Sequence, residues 1–307
     1  MVTIGIPKGM FFYEYGSIWE DFFENLGFKV VVSKDTNRTI MDYGLKCCSN
    51  ETCLPVKAFH GHMLSLKDTV DYVFIPRYHS TRKNEYTCPK ICGLPDMAAV
   101  NLGGRLRILE AKINMDSQVK ETKESIIRMA RTLKIEPSKV LSEFNRVWKK
   151  HLDTKMDQAE NKKSSKSRSG KKDAILLLGH PYVIYDEYLS MRLIKKLNNR
   201  YIDVFTPKDI DYETKRHNAF PYQGKTFWDI GFDLLGSAFT CAEDERVKGI
   251  VYLTPFACGL DAFIMEFIEL QIKARNRNIP LLKLTVDEHT GEAGFDTRIE
   301  AFIDMIG

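Results

Sequence analysis

The chain has 307 residues, 44% of them hydrophobic and 28% charged, with a formal net charge of only +4. That length supplies about two domains and enough buried apolar surface to fold without a disulfide or metal staple. The small charge excess argues against a nucleic-acid surface as the main function, and no run of about 18 apolar residues exists to cross a membrane.

Thr3 to Pro7 reads as a short apolar strand rather than a basic leader, so a cytoplasmic protein is expected. Tyr15 to Leu26 places Ile18, Trp19, Phe22, Phe23 and Leu26 at helical spacing, and Gly27 stops the helix. Phe28 to Ser33 is a β-branched strand, residues 54 to 66 a helix, and Val70 to Pro76 a third strand. Residues 104 to 150 read as helical and polar. Lys155 to Lys172 is charged and nearly free of large apolar residues, which predicts a mobile linker. A second run follows: strand Ala174–Leu178, helix Asp186–Leu197, strand Tyr201–Phe205, helix Phe227–Cys241, strand Gly249–Thr254, helix Gly259–Asn276, strand Pro280–Val286 and helix Thr297–Ile306. Strands alternating with helices mean parallel α/β sheets. The expected organisation is an N-terminal α/β domain at 1–103, a helical insertion and charged linker at 104–172, and a C-terminal α/β domain at 173–307.

In a cytoplasmic protein, seven cysteines point to metal or redox chemistry rather than disulfides. Cys53, Cys88 and Cys258 each fall in a turn after a predicted strand, with Pro or Gly close by and a helix about to begin. Ligands of parallel α/β sheets bind at such turns, and a helix N-terminus favours thiolate. No C-x-x-C pair exists, so iron–sulfur ligation is favoured over structural zinc. Cys47, Cys48, Cys92 and Cys241 have no clear part, although Cys48 and Cys92 are further candidate ligands. His60 and His62 lie on different faces of a helix, so one should pack and the other face water. Neither G-x-x-x-x-G-K-[ST] nor G-x-G-x-x-G occurs, so an ATP-driven step would need a partner.

The motifs IGIPKGMFFYEYGSIWEDFFENLGFKVVVS, ETCLPVK with a following GH, EYTCPK leading to GLPDM, GHPYVIYDEYLSMRL, TPFACGLDA and LTVDEHTGEAGFDTRIEAF resemble the 2-hydroxyacyl-CoA dehydratase and benzoyl-CoA reductase-related proteins. The similarity is greatest to the branch called acyl-CoA dehydratase activase-related, or CoA-protein-activase-like, and runs nearly end to end. The resemblance implies two flavodoxin-like or Rossmann-like domains with a cluster in the cleft between them. It maps the three ligands of a [4Fe–4S] cluster onto Cys53, Cys88 and Cys258, with a double-cubane [8Fe–9S] cluster in some relatives. It also implies an electron-donating activator with a sugar-kinase or actin-type ATPase fold, here supplied in trans.

Three functions stay open: a redox enzyme, reductase or dehydratase-type lyase component passing low-potential electrons to a small molecule; a non-enzymatic iron–sulfur carrier, assembly or regulatory protein; and a zinc-binding structural protein. A homodimer is also open. Tyr182, Tyr185, Asp287, Glu288, His289 and Glu292 fall on loops after strands, with Glu288 and His289 as candidate proton donors. The competing reading is that the Asp-Glu-His-Thr-Gly stretch only caps the last helix.

Overall fold

Two units divide the chain, Met1–Met156 and Asp157–Gly307. The computed structural model describes residues 1–116, 119–165, 173–200, 202–222, 228–274 and 279–306, with side chains throughout except at 155–165 and 222. In the first unit the order is β1 (Thr3–Ile6), α1 (Phe12–Asn25), β2 (Lys29–Val32), α2 (Arg38–Cys47), α3 (Leu54–Ser65), β3 (Tyr72–Arg82), β4 (Glu85–Tyr86), α4 (Pro89–Cys92), α5 (Leu94–Leu102), β5 (Ile108–Asn114), α6 (Val119–Thr132) and α7 (Pro137–Ser165). The strands β2, β1, β3 and β5 lie parallel in that order, and β4 runs antiparallel against the far end of β3.

Parallel neighbours need crossovers, and the helices that make them bury the sheet. Trp19, Phe22 and Phe23 of α1 meet Phe74 of β3 and Phe144 of α7. Each such ring, fully buried, contributes about 1.5–3 kcal/mol. The Trp19 indole N–H, which would otherwise be stranded, donates to the Tyr78 hydroxyl at 2.8 Å.

An expectation about the segment after α5 fails. Residues 108–114 are not helical: they form β5, paired along β3. Leu109, Ala111 and Ile113 are buried, a period of two that the interleaved charges hid. Those charges are held locally, Glu110 by Arg77 and Lys112 by Glu121. The helix α6 follows as the cover of this strand, and α7 lays Phe144 and Trp148 against α1. The backbone stays helical to Ser165, through the first part of the expected linker; residues 166–172 lie outside the described residues.

The second unit carries β6 (Ala174–Leu178), α8 (Pro181–Ile184), α9 (Leu193–Asn198), β7 (Asp203–Phe205), α10 (Tyr212–Ala219), α11 (Asp229–Cys241), β8 (Val247–Pro255), α12 (Gly259–Ala274), β9 (Leu281–Val286) and α13 (Glu292–Ile306). Its sheet is parallel in the order β7-β6-β8-β9. The expected α/β class with two parallel-sheet domains is therefore the observed one. The expected helix over Asp186–Leu197 shrinks to α9. Asp186 turns its carboxylate onto the amides of Tyr188 and Leu189, and Met191 and Arg192 take left-handed φ values of 51° and 58°, which a continuous helix forbids. Among the described residues no helix is long and apolar enough to cross a membrane.

Candidate functional site

Cys53 stands at the N-cap of α3, 8% exposed, with φ −62° and ψ 145°. Its carbonyl accepts the amides of Val56 at 3.0 Å and Lys57 at 3.2 Å, so the thiol is fixed where the helix begins. Because α3 leads into β3, its N-terminus lies toward the carboxyl side of the sheet. The helix α2 separates Cys53 from β2, where the sequence had suggested a direct strand-to-helix turn. Cys88 follows β4 and caps the short α4, its carbonyl accepting Ile91 N at 2.9 Å and Cys92 N at 3.1 Å. The Cys92 sulfur lies 3.7 Å from His79 Nδ1. Arg77 clamps this turn, donating to the Cys92 carbonyl at 3.0 Å while pairing with Asp96 and Glu110.

The approach of α2 to α3 brings further thiols near Cys53. A Cβ on Gly44 would sit 1.9 Å from the Lys57 carbonyl oxygen, and one on Gly61 would sit 1.9 Å from that of Ile40. Only glycine permits so close a crossing. Cys47 and Cys48 share a hydrogen bond that draws the Cys47 thiol down and pushes Cys48 up; burial adds to the rise at Cys48, and Cys53 adds to it further. Asn101 links Cys48 Sγ, at 4.0 Å, to His60 Nε2, at 3.1 Å.

Both histidines of α3 are buried, against the expectation that one would be solvated. His62 lies between Ser33 Oγ and Thr36 Oγ1, 2.9 Å from each. Burial, helped by the charge of Lys8, lowers it to about 4. His60 is lowered by burial too, partly offset by the carbonyls of Val56 and Met97. The loop after β2 thus wraps α3 through polar contacts, which the helical wheel alone does not reveal.

In the second unit the carboxyl ends of β6 and β8 build a tighter cluster. Gly179 takes φ +154°, and a Cβ there would meet Ile184 and the Leu253 carbonyl at 2.7 Å. His180 follows and is 1% exposed. After β8, Ala257 adopts φ 61°, and Cys258 enters α12, its carbonyl accepting Ala262 N at 3.1 Å. His180 Nε2 lies 2.9 Å from Asp261 Oδ1 and 3.6 Å from Cys258 Sγ, while Nδ1 meets the Tyr182 hydroxyl at 3.0 Å. Tyr252 donates to Asp261 Oδ1 at 2.8 Å and Thr254 to Oδ2 at 3.2 Å. Burial alone would depress His180, but the charge and hydrogen bond of Asp261, joined by Cys258, hold it well above its ordinary value. Burial and the Asp261 charge keep the Tyr252 phenol protonated.

The sequence singled out Cys258 and Tyr182 but not His180 or Asp261. The available signal was His180 directly after the strand Ala174–Leu178 and its glycine, the same kind of turn that marked Cys258. Glu288 and His289 lie in the turn before α13. Asp287 Oδ1 accepts the His289 amide at 2.9 Å and the Thr290 hydroxyl at 2.7 Å, and Glu292 opens the helix paired with Lys196. Tyr185 donates to Thr206 at 2.8 Å. Cys241 is buried at the end of α11.

Among the described residues, His180, Cys258 and Asp261 form a group of three potential ligand atoms all within 4.8 Å of one another, and Cys53 and Cys88 join no such group. A family model described as the CoA enzyme activase uncharacterised domain (DUF2229) matches residues 3–210. The match takes in Cys53, Cys88 and His180 and stops short of Cys258. No curated protein matches the chain.

Proposed function

The chain belongs to the CoA enzyme activase uncharacterised domain family, and on that premise we propose that it is an iron–sulfur redox protein related to 2-hydroxyacyl-CoA dehydratase subunits. The proposed ligands are Cys53, Cys88 and Cys258, with Cys48 and Cys92 as further candidates for a larger cluster. The observation that carries this reading is positional. All three cysteines occupy the capping position before a helix; at the longer helices α3 and α12 the partial positive charge of the terminus favours anionic ligands. The donor set is chemically suited, because iron–sulfur clusters are held by cysteine thiolates.

Bound to these thiolates, a [4Fe–4S] cluster supplies one-electron chemistry at low potential. The chain's own residues would do the rest. Backbone amides at the caps hold the carbonyls of the three cysteines, and Arg77 holds the Cys92 turn in place. The electron donor is proposed to be a separate ATPase activator, and the acceptor a small molecule.

Anaerobic reconstitution with ferrous iron and sulfide tests the reading. The expected result is co-retained iron and acid-labile sulfide, with a paramagnetic signal after one-electron reduction. Retention of iron without sulfide, or of zinc alone, contradicts it. Ready loss of the assembled cluster to an apo-acceptor, without reduction of any substrate, would instead favour a carrier.

A further inference from the structure

We propose that His180, Cys258 and Asp261 bind a single divalent transition-metal ion, of the zinc or iron(II) kind, when Cys258 carries no cluster. The site lies wholly within the second unit and uses neither Cys53 nor Cys88, so it goes beyond the cluster assignment.

The separations suit one ion. A tetrahedral centre about 2.3 Å from a thiolate and about 2.0–2.1 Å from an imidazole nitrogen holds those donors about 3.5 Å apart. The sulfur and Nε2 stand 3.6 Å apart. Nε2 and Asp261 Oδ1, 2.9 Å apart, would open by about 0.4 Å to share the same centre. One thiolate and one carboxylate balance a divalent charge in a buried place, and His180, its proton displaced to solvent by the ion, adds a neutral imidazole donor.

The surroundings are arranged as ligand supports. Nδ1 of His180 is engaged by the Tyr182 hydroxyl, which leaves Nε2 aimed at the centre. Asp261 is steadied by Tyr252 and Thr254. Hydrogen-bonded partners behind each ligand fix its orientation. β6 and β8 pair side by side, and the left-handed turn at Ala257 and the glycine conformation at Gly179 lie in the turns that leave their ends. A thiol–imidazole–carboxylate relay is the rival arrangement, but it needs the carboxylate and the thiol on opposite nitrogens of the ring. Here both face Nε2.

The test is anaerobic titration of the full-length, cluster-free chain with cobalt(II). The expected result is one equivalent giving a thiolate-to-cobalt charge-transfer band and tetrahedral d–d absorption. Cys258→Ser should abolish the charge-transfer band, and His180→Gln and Asp261→Asn should each weaken uptake at least about tenfold. Tyr252→Phe, a milder change that tests the support shell should the ligand variants fail to fold, should weaken it about 10–100-fold. A Cys53→Ser/Cys88→Ser double variant should keep the band. No uptake, or a band that survives Cys258→Ser, or one lost only in the Cys53/Cys88 variant, overturns the proposal. The cluster reading is scored separately, by iron and sulfide after reconstitution.

Discussion

Replacing Gly61 by Ala sets two opposed effects against each other, and the sign of the outcome reports the α2–α3 crossing. In an exposed helix, Gly→Ala stabilises by about 1 kcal/mol. Here the new Cβ would lie 1.9 Å from the Ile40 carbonyl oxygen and 3.1 Å from the Ile40 side chain. Ordinary contact begins near 3.4 Å, so α2 must retreat by about 1.5 Å, and the obstacle is backbone that no rotamer change relieves. Overpacking of that kind costs about 3 kcal/mol, the upper end of its usual range. The expected net loss is about 2 kcal/mol. With a slope of about 2 kcal/mol per molar urea, the midpoint should fall by about 1 M. Tryptophan fluorescence follows it, since Trp19 and Trp148 are buried in the first unit. Because Cys47 and Cys48 ride on the end of α2 while Cys53 begins α3, the same variant should change the alkylation rate of these thiols. A Gly61→Ala protein more stable than the parent would show that the helices do not cross as described.

His62 makes stability fall with acid. Its folded value of about 4 lies below the ordinary 6.5, so the unfolded chain binds the proton first, and stability is lost as pH drops from 6.5 to about 4, by about 3 kcal/mol in all. Urea midpoints of the parent against His62→Gln across that window should diverge, the variant showing the shallower fall; parallel curves refute the assignment. Gly179→Ala should destabilise the second unit by about 2 kcal/mol or more, through both its φ of +154° and its contact with the Leu253 carbonyl. Thermal unfolding followed by near-ultraviolet circular dichroism checks this, and an unchanged midpoint contradicts it.

Both sheets were legible because their strands are continuous apolar runs, such as Ala174–Leu178, and parallel strands buried on both faces read that way. The strand β5 was not, because Glu110 and Lys112 interrupt it and their partners Arg77 and Glu121 come from other segments. Within α3, Lys57, His60 and His62 gave it a polar look, yet all three are buried; what covers them is α2, Asn101 and the loop with Ser33 and Thr36, contacts set by tertiary structure. Cys258 could be picked out from its own turn. His180 and Asp261 could not be joined to it, since Asp261 reads as an ordinary acidic residue in a first helical turn and His180 is 78 residues away from the cysteine.

Iron and sulfide counts on single serine variants, reconstituted anaerobically beside the parent, test the central claim most directly. Cys53→Ser, Cys88→Ser and Cys258→Ser should each lose most of the iron together with the sulfide, while Cys241→Ser, whose thiol is buried at the end of α11, should keep both. Full iron and sulfide in all three of the first variants, with loss in Cys241→Ser, would contradict the account.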